Sequence, residues 1–127
     1  TREAKAQNAL ATMQAANDVS AAVVELFDLY HPAIPADLGR LDVYGRQVIL
    51  DVQMNDIAAA QNSLHQEENV WLRLKSDIEA HGGAQVATQY TTNLEQQAEA
   101  IRTNDATALV ATARVALDLV DAMEQLY

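Results

Sequence analysis

The stretch DIAAAQNSLHQEENVWLRLKSDIEAH, residues 56–81, decides how this chain folds. Its apolar residues Ile57, Ala60, Leu64, Trp71, Leu74 and Ile78 recur in steps of three and four, with one beat missed between Leu64 and Trp71. At 3.6 residues per turn that spacing stacks them on one face of a helix. The residues in the gap are His65-Gln66-Glu67-Glu68-Asn69, and the position that continues the rhythm is Glu67. The longest amphipathic face therefore carries an acid near its middle, one helical turn from the only Trp.

Both ends of this stretch are corners. Asn55 suits the left-handed conformation that ends a helix, and the Asp56 side chain can accept from the exposed amides of the next one. Gly82-Gly83 stops the helix at its other end, with His81 in the last turn, where positive charge is favoured. Val52-x-x-Asn55-Asp56-x-x-Ala59 returns as Ile101-x-x-Asn104-Asp105-x-x-Ala108, 49 positions later. Each copy reads as a helical hairpin with the same turn chemistry. Two copies are too few for a solenoid, so the hairpins are expected to pair in one bundle.

The flanking segments fill in the rest. Residues 36–54 place Leu38, Leu41, Gly45, Val48 and Val52 on one seam, with Gly45 expected to admit a neighbouring backbone. Residues 84–103 are expected to bury Val86, Tyr90, Leu94, Ala98 and Ile101. Residues 105–127 bury Leu109, Ala113, Ala116, Val120, Met123 and Tyr127. Residues 2–30 form a first helix, with a heptad-like seam of Ala9, Met13, Ala16, Val23, Phe27 and Tyr30. Asn17-Asp18 marks a bend or a fraying point in it, because both residues favour caps over helix interiors. His31-Pro32-Ala33-Ile34-Pro35 ends it, since a proline excludes helical geometry from the residue before it. The expectation is one all-α domain over residues 1–127: an antiparallel up-down bundle of four to five helices, two pseudo-repeated hairpins plus an N-terminal helix.

Composition narrows the function. The chain has 127 residues, half of them hydrophobic, and a formal charge of −10. Nucleic acid and anionic membrane surfaces need clustered cations and are poor partners for it. No apolar run approaches the roughly 18 residues a membrane span needs. The absence of Cys excludes disulfides, thiolate metal sites and a Cys nucleophile. It fits a protein outside the cytoplasm, as does a first residue that is Thr, the mark of a mature form or of a trimmed chain.

Trp71-x-x-Leu74 followed by Gly82-Gly83, then Ala98-x-x-Ile101-x-x-x-Asp105, then Leu119-Val120-Asp121-x-Met123-Glu124-x-x-Tyr127, resembles small extracytoplasmic helical proteins of bacteria, often lipoproteins. The resemblance covers residues 38–127. It implies a secreted or anchored bundle and carries no known active site. The Cys that bears a lipid anchor does not occur in this chain.

Candidate chemistry centres on Glu67 or Glu68. A carboxyl buried between helices must pair or take up a proton, and can serve as a ligand contact or proton-linked group. The alternative is that the helix rotates slightly and both acids reach water. Trp71 reads as a core anchor whose indole N–H finds its acceptor in Glu67 or Glu68. Carboxylate-bridged metal bundles use Glu-x-x-His on two helices; here Asp28-x-x-His31 and His65-x-x-Glu68 are single, imperfect variants. No metal or cofactor is expected. Ser20, Ser63 and Ser76 lack the strained Gly-flanked turn of a nucleophile, and no phosphate-binding Gly-rich loop occurs, so no enzyme is expected.

The expected function is a non-enzymatic extracytoplasmic binding or interaction module. His65, Glu67, Glu68 and Trp71 would line a groove for an unidentified protein or small molecule. One alternative is the sensor domain of a membrane receptor, although five up-down helices would place the two termini at opposite ends. Another is a structural subunit of a larger assembly, which requires a contiguous apolar patch outside the core. Val24, Leu29, Val43, Leu50, Val70, Leu72 and Leu119 are candidates for that patch.

Overall fold

The computed structural model describes residues 1–30 and 33–127. Its helices are α1 (Arg2–Asp28), α2 (Ala36–Gln53), α3 (Ile57–Ala80), α4 (Ala84–Arg102) and α5 (Ala106–Glu124), and no strand occurs among the described residues. The chain is an all-α helical bundle. The break expected at His31-Pro32 lies outside the described residues. Pro35 stands at the N-cap of α2, with Asp37 in the first turn, where the helix dipole favours an acid.

Three corners share one geometry. Asn55 and Asn104 are left-handed (φ 58° and 53°), as is Gly82 (φ 85°). In each corner the residue after the left-handed one donates its N–H five residues back: Asp56 to the Asp51 carbonyl (2.8 Å), Asp105 to Ala100 (2.8 Å) and Gly83 to Ile78 (2.9 Å). These bonds satisfy carbonyls that a helix end would otherwise leave open. Asp56 and Asp105 then accept from the amides of Ala59 (2.9 Å) and Ala108 (3.0 Å), starting the next helix. Gly83 cannot be replaced in kind. A Cβ there would stand 2.8 Å from the Ile78 carbonyl oxygen and 2.6 Å from Leu126 Cδ1.

Such tight corners fold consecutive helices back on one another. α2 lies against α3, α3 against α4, α4 against α5, and α5 returns to α2, closing a ring of four. Leu38, Leu41, Val48, Leu64, Ile78, Tyr90, Leu109, Val120 and Met123 fill its centre. The seams expected for α2, α3 and α5 are the buried faces, apart from Ile57 and Tyr127, which are half-buried, Tyr127 lying past the end of α5. In α4 the seam differs at three of its five positions: Val86 and Ile101 are only half-buried, with Ala87 and Ala100 buried beside them. Gln97 is buried and Ala98 is exposed, because the inward face runs through Ala87, Tyr90, Leu94 and Gln97.

α1 stands outside this ring, antiparallel to α2. It is one unbroken helix, so Asn17-Asp18 does not end it. Asn17 is instead the one buried residue of α1. Its Nδ2 donates to the Val43 carbonyl (3.1 Å) and to Gln47 Oε1 (3.1 Å). Gln14 and Gln47 exchange two more bonds (2.7 and 2.8 Å). Val24 fits over Gly39, where an added Cβ would meet Val24 Cγ2 at 2.8 Å. These contacts turn the heptad-like seam away from α2. Ala9, Met13, Ala16, Val23, Phe27 and Tyr30, expected inside, are all exposed. Residues 2–9 are also exposed throughout.

Candidate functional site

α3 brings Glu67 to the middle of the ring, where it is 0% exposed. The alternative in which both acids reach water is therefore excluded: Glu67 faces inward, while Glu68 is half-buried. The Tyr90 hydroxyl, from α4, donates to Glu67 Oε1 (2.6 Å). Glu67 Oε2 finds no hydrogen-bond partner among the described residues. From α2, Gly45 faces the same carboxyl. A Cβ there would stand 3.6 Å from Glu67 Oε1 and 2.9 Å from Leu117 Cδ2. The missing side chain thus makes room for Glu67 and Leu117, not for another backbone.

Burial governs the chemistry of this pair. Loss of water pushes the Glu67 carboxyl up to about 8, against the Tyr90 bond, which favours the charged form. Burial thus favours the neutral carboxyl over the charged one inside the bundle. Burial and the adjacent carboxyl also push the Tyr90 hydroxyl well above its usual range.

Trp71 lies one turn along the same face, 4% exposed, its ring centroid 4.7 Å from that of Tyr90. Its indole N–H donates to Thr91 Oγ1 (3.0 Å), so neither Glu67 nor Glu68 supplies the expected acceptor. His65 points to solvent with Glu68 partly so. The four residues singled out on this helix therefore divide. Glu67 and Trp71 enter the core, whereas His65 and Glu68 lie toward the outer face, and no open groove joins them.

Further buried polar groups escaped the sequence pattern. Asp51, on α2, accepts from Ser63 Oγ of α3 (2.7 Å) and from Gln47 Nε2 (2.8 Å). Gln47 in turn bonds α1, so one polar chain links three helices. Gln97 Nε2 donates to Asn93 Oδ1 (2.7 Å), and Asn93 Nδ2 to the Thr112 carbonyl (2.9 Å), tying α4 to α5. Among the described residues no three His, Asp or Glu side chains converge as a metal-binding set.

At the α1–α2 junction Arg40 bonds Glu25 Oε1 (2.9 Å), Asp28 Oδ2 (2.7 Å) and Asp37 Oδ1 (2.8 Å), and Arg73 of α3 also grips Asp37 (2.9 Å). Partial burial raises the Asp37 carboxyl, but the two guanidiniums outweigh it and hold it below the usual carboxylate range. Arg40 likewise keeps the Glu25 carboxyl low.

Two surface depressions lie between α1 and α2, each with one residue of α5 at its edge. One, of about 350 Å³, includes Met13, Ala16, Asn17, Ile49, Arg46 and Arg114 in its lining. The other, of about 530 Å³, includes Val24, Phe27, Ile34, Gly39 and Glu124. Asn17 Oδ1 and Arg46 Nε, both at the first, are buried atoms without hydrogen-bond partners among the described residues. No helix among the described residues is long and apolar enough to cross a membrane. No protein-family model, curated protein or solved structure matches this chain.

Proposed function

We propose that this chain is a non-enzymatic interaction module that works outside the cytoplasm and docks a partner protein along α1. One observation carries the proposal: the apolar seam of α1 is uncovered. Phe27 is 58% and Tyr30 76% exposed, and Met13, Val19, Val23 and Leu26 lie open beside them. Contiguous apolar surface of this kind commonly marks an interaction site. The depressions between α1 and α2 adjoin it at Met13, Ala16 and Phe27. Placement outside the cytoplasm rests on the absence of Cys and on the resemblance to extracytoplasmic bacterial bundles.

The same uncovered face favours a second reading, a subunit of a larger assembly. Of the residues expected to form an outer patch, Val43, Leu50 and Val70 are buried and Val24 and Leu119 half-buried, whereas Leu29, at the end of α1, and Leu72, on α3, are exposed.

Photo-crosslinking in extract of the source cells tests the docking surface. A photoreactive residue replacing Tyr30 should give discrete adducts, and one replacing Asn62, on the outer side of α3, should not. Equal labelling from both positions, or none from position 30, would refute docking along α1.

A further inference from the structure

We infer that the depression between the middle of α1 and the C-terminal half of α2 binds a small amphipathic monocarboxylate, one that carries a hydroxyl beside its carboxylate. The site does not rest on protein docking along α1, whose test residue, Tyr30, lies past the far end of that helix.

Charge is the first ground. The chain has eight Lys and Arg against eighteen Asp and Glu. In the ring, Arg40, Arg46, Arg73, Lys75 and Arg102 each pair with an acid. Arg114, on α5, pairs with none among the described residues, and it edges the same depression as Arg46. Two guanidiniums thus meet at one hollow of an acidic protein. Asp42 engages one terminal nitrogen of Arg46 (2.8 Å). Two arginines and one aspartate leave a single positive charge, which matches a monoanion. A phosphate dianion would add a second negative charge that the site does not neutralise, on a chain already at −10.

Hydrogen bonding is the second ground. Arg46 Nε is a buried donor and Asn17 Oδ1 a buried acceptor, and neither has a partner among the described residues. Asn17 is only 5% exposed, and its amide nitrogen is already committed to Val43 and Gln47. Buried groups left open cost stability and mark places that something outside the fold completes. The Arg46 side chain is 41% exposed, so a small turn presents its Nε to a ligand. A carboxylate and a hydroxyl on adjacent carbons supply the acceptor for Arg46 and the donor for Asn17 together. The second carboxylate oxygen takes the Arg114 guanidinium in a charge-assisted bond.

The remaining lining sets the tail. Met13, Ala16, Ile49 and Leu50 make it apolar. The volume, about 350 Å³, stands at the small end of ligand pockets, so a tail of roughly six carbons suits it better than a full-length fatty acyl chain.

NMR titration of the isotope-labelled intact chain with 2-hydroxyoctanoate tests the site. The side-chain N–H signals of Arg46 and Arg114 and the Asn17 amide should shift saturably, with half-saturation at about 1 mM or below. The methyl ester, which carries no charge, should bind at least about tenfold more weakly, and so should Arg114→Gln protein. Arg114 is exposed, so this variant should unfold at the parent's urea midpoint. Lys75→Gln, on α3, should bind as the parent does. Octanoate, which lacks the hydroxyl, should bind about threefold more weakly. No saturable shift up to about 20 mM, or equal affinity for the ester, would overturn the site and leave the two open atoms to water. Undiminished binding by Arg114→Gln would overturn the charge assignment, and equal affinity for octanoate would remove Asn17 as the hydroxyl's acceptor.

Discussion

The ring α2–α5 and the helix α1 are both amphipathic, yet they bury opposite kinds of residue. The ring closes over apolar side chains and takes in a few polar ones with them. α1 buries a single residue, Asn17, and keeps most of its large apolar side chains outside. It is held by hydrogen bonds from Asn17 and Gln14 and by the ion pairs of Arg40. The difference shows that an apolar periodicity fixes which residues share a face, but not which face is buried. Along α1 the seam is small in its first half and large in its last, and it stays exposed in both. Hydrogen bonds with the Val43 carbonyl and Gln47 fix the rotation instead. Contacts of that class contribute about 1 kcal/mol each, so α1 is the more weakly attached part.

The comparison can be broken most forcefully in the ring. Trp71→Ala removes a buried indole between α3 and α4 and should cost about 3–5 kcal/mol in urea unfolding. A loss below 1 kcal/mol would mean that the ring does not depend on its aromatic centre.

Next in size is the pH response of Glu67. Its folded value lies near 8, above the ordinary value of 4.5. Its stabilising contribution is therefore complete below about pH 4.5 and is lost as pH rises toward 8. Between pH 5 and 8 the folded state holds a proton that the unfolded state releases. This group alone should make stability fall as pH rises across that window, by on the order of 1 kcal/mol per unit in its middle. Glu67→Gln should flatten the decline, measured by urea unfolding at pH 5 and 8. An unchanged slope would mean that Glu67 is ionised in the fold.

A smaller effect should separate α1 from the ring. Gly39→Val places a side chain where Val24 now sits. It should speed hydrogen exchange along α1 while leaving α3 and α4 unchanged. Slowed or unaltered exchange in α1 would show that Gly39 does not seat it.

The smallest change is expected from Phe27→Glu in dilute, monomeric protein. The side chain is already 58% exposed, so the unfolding free energy should move by no more than about 0.5 kcal/mol. A loss of 2 kcal/mol would place Phe27 inside the monomer's core.

Much of this was legible in the sequence, and the failures have physical causes. The corners were readable because Asn before Asp encodes a left-handed stop and a side-chain cap at adjacent positions. The seams of α2, α3 and α5 were readable because strictly apolar residues recur along them. The slip in α4 arose where Ala98, apolar and small, stands beside Gln97, which is polar, buried and bonded only through its Nε2 to Asn93. Glu67 announced itself as a missing apolar beat. Its partner Tyr90 is 23 residues away on another helix and left no local signal. Thr91, which receives the Trp71 N–H, was hidden for the same reason. Gly39 looked like any other helix residue until α1 was seen lying on it.

Site-resolved native-state hydrogen exchange on the intact chain, dilute enough to be monomeric, tests the division into ring and attached helix most directly. The α1 amides should open at a free energy well below that of the slowest amides in α3 and α4. A single common opening energy across all five helices would contradict it, because α1 would then belong to the same cooperative core.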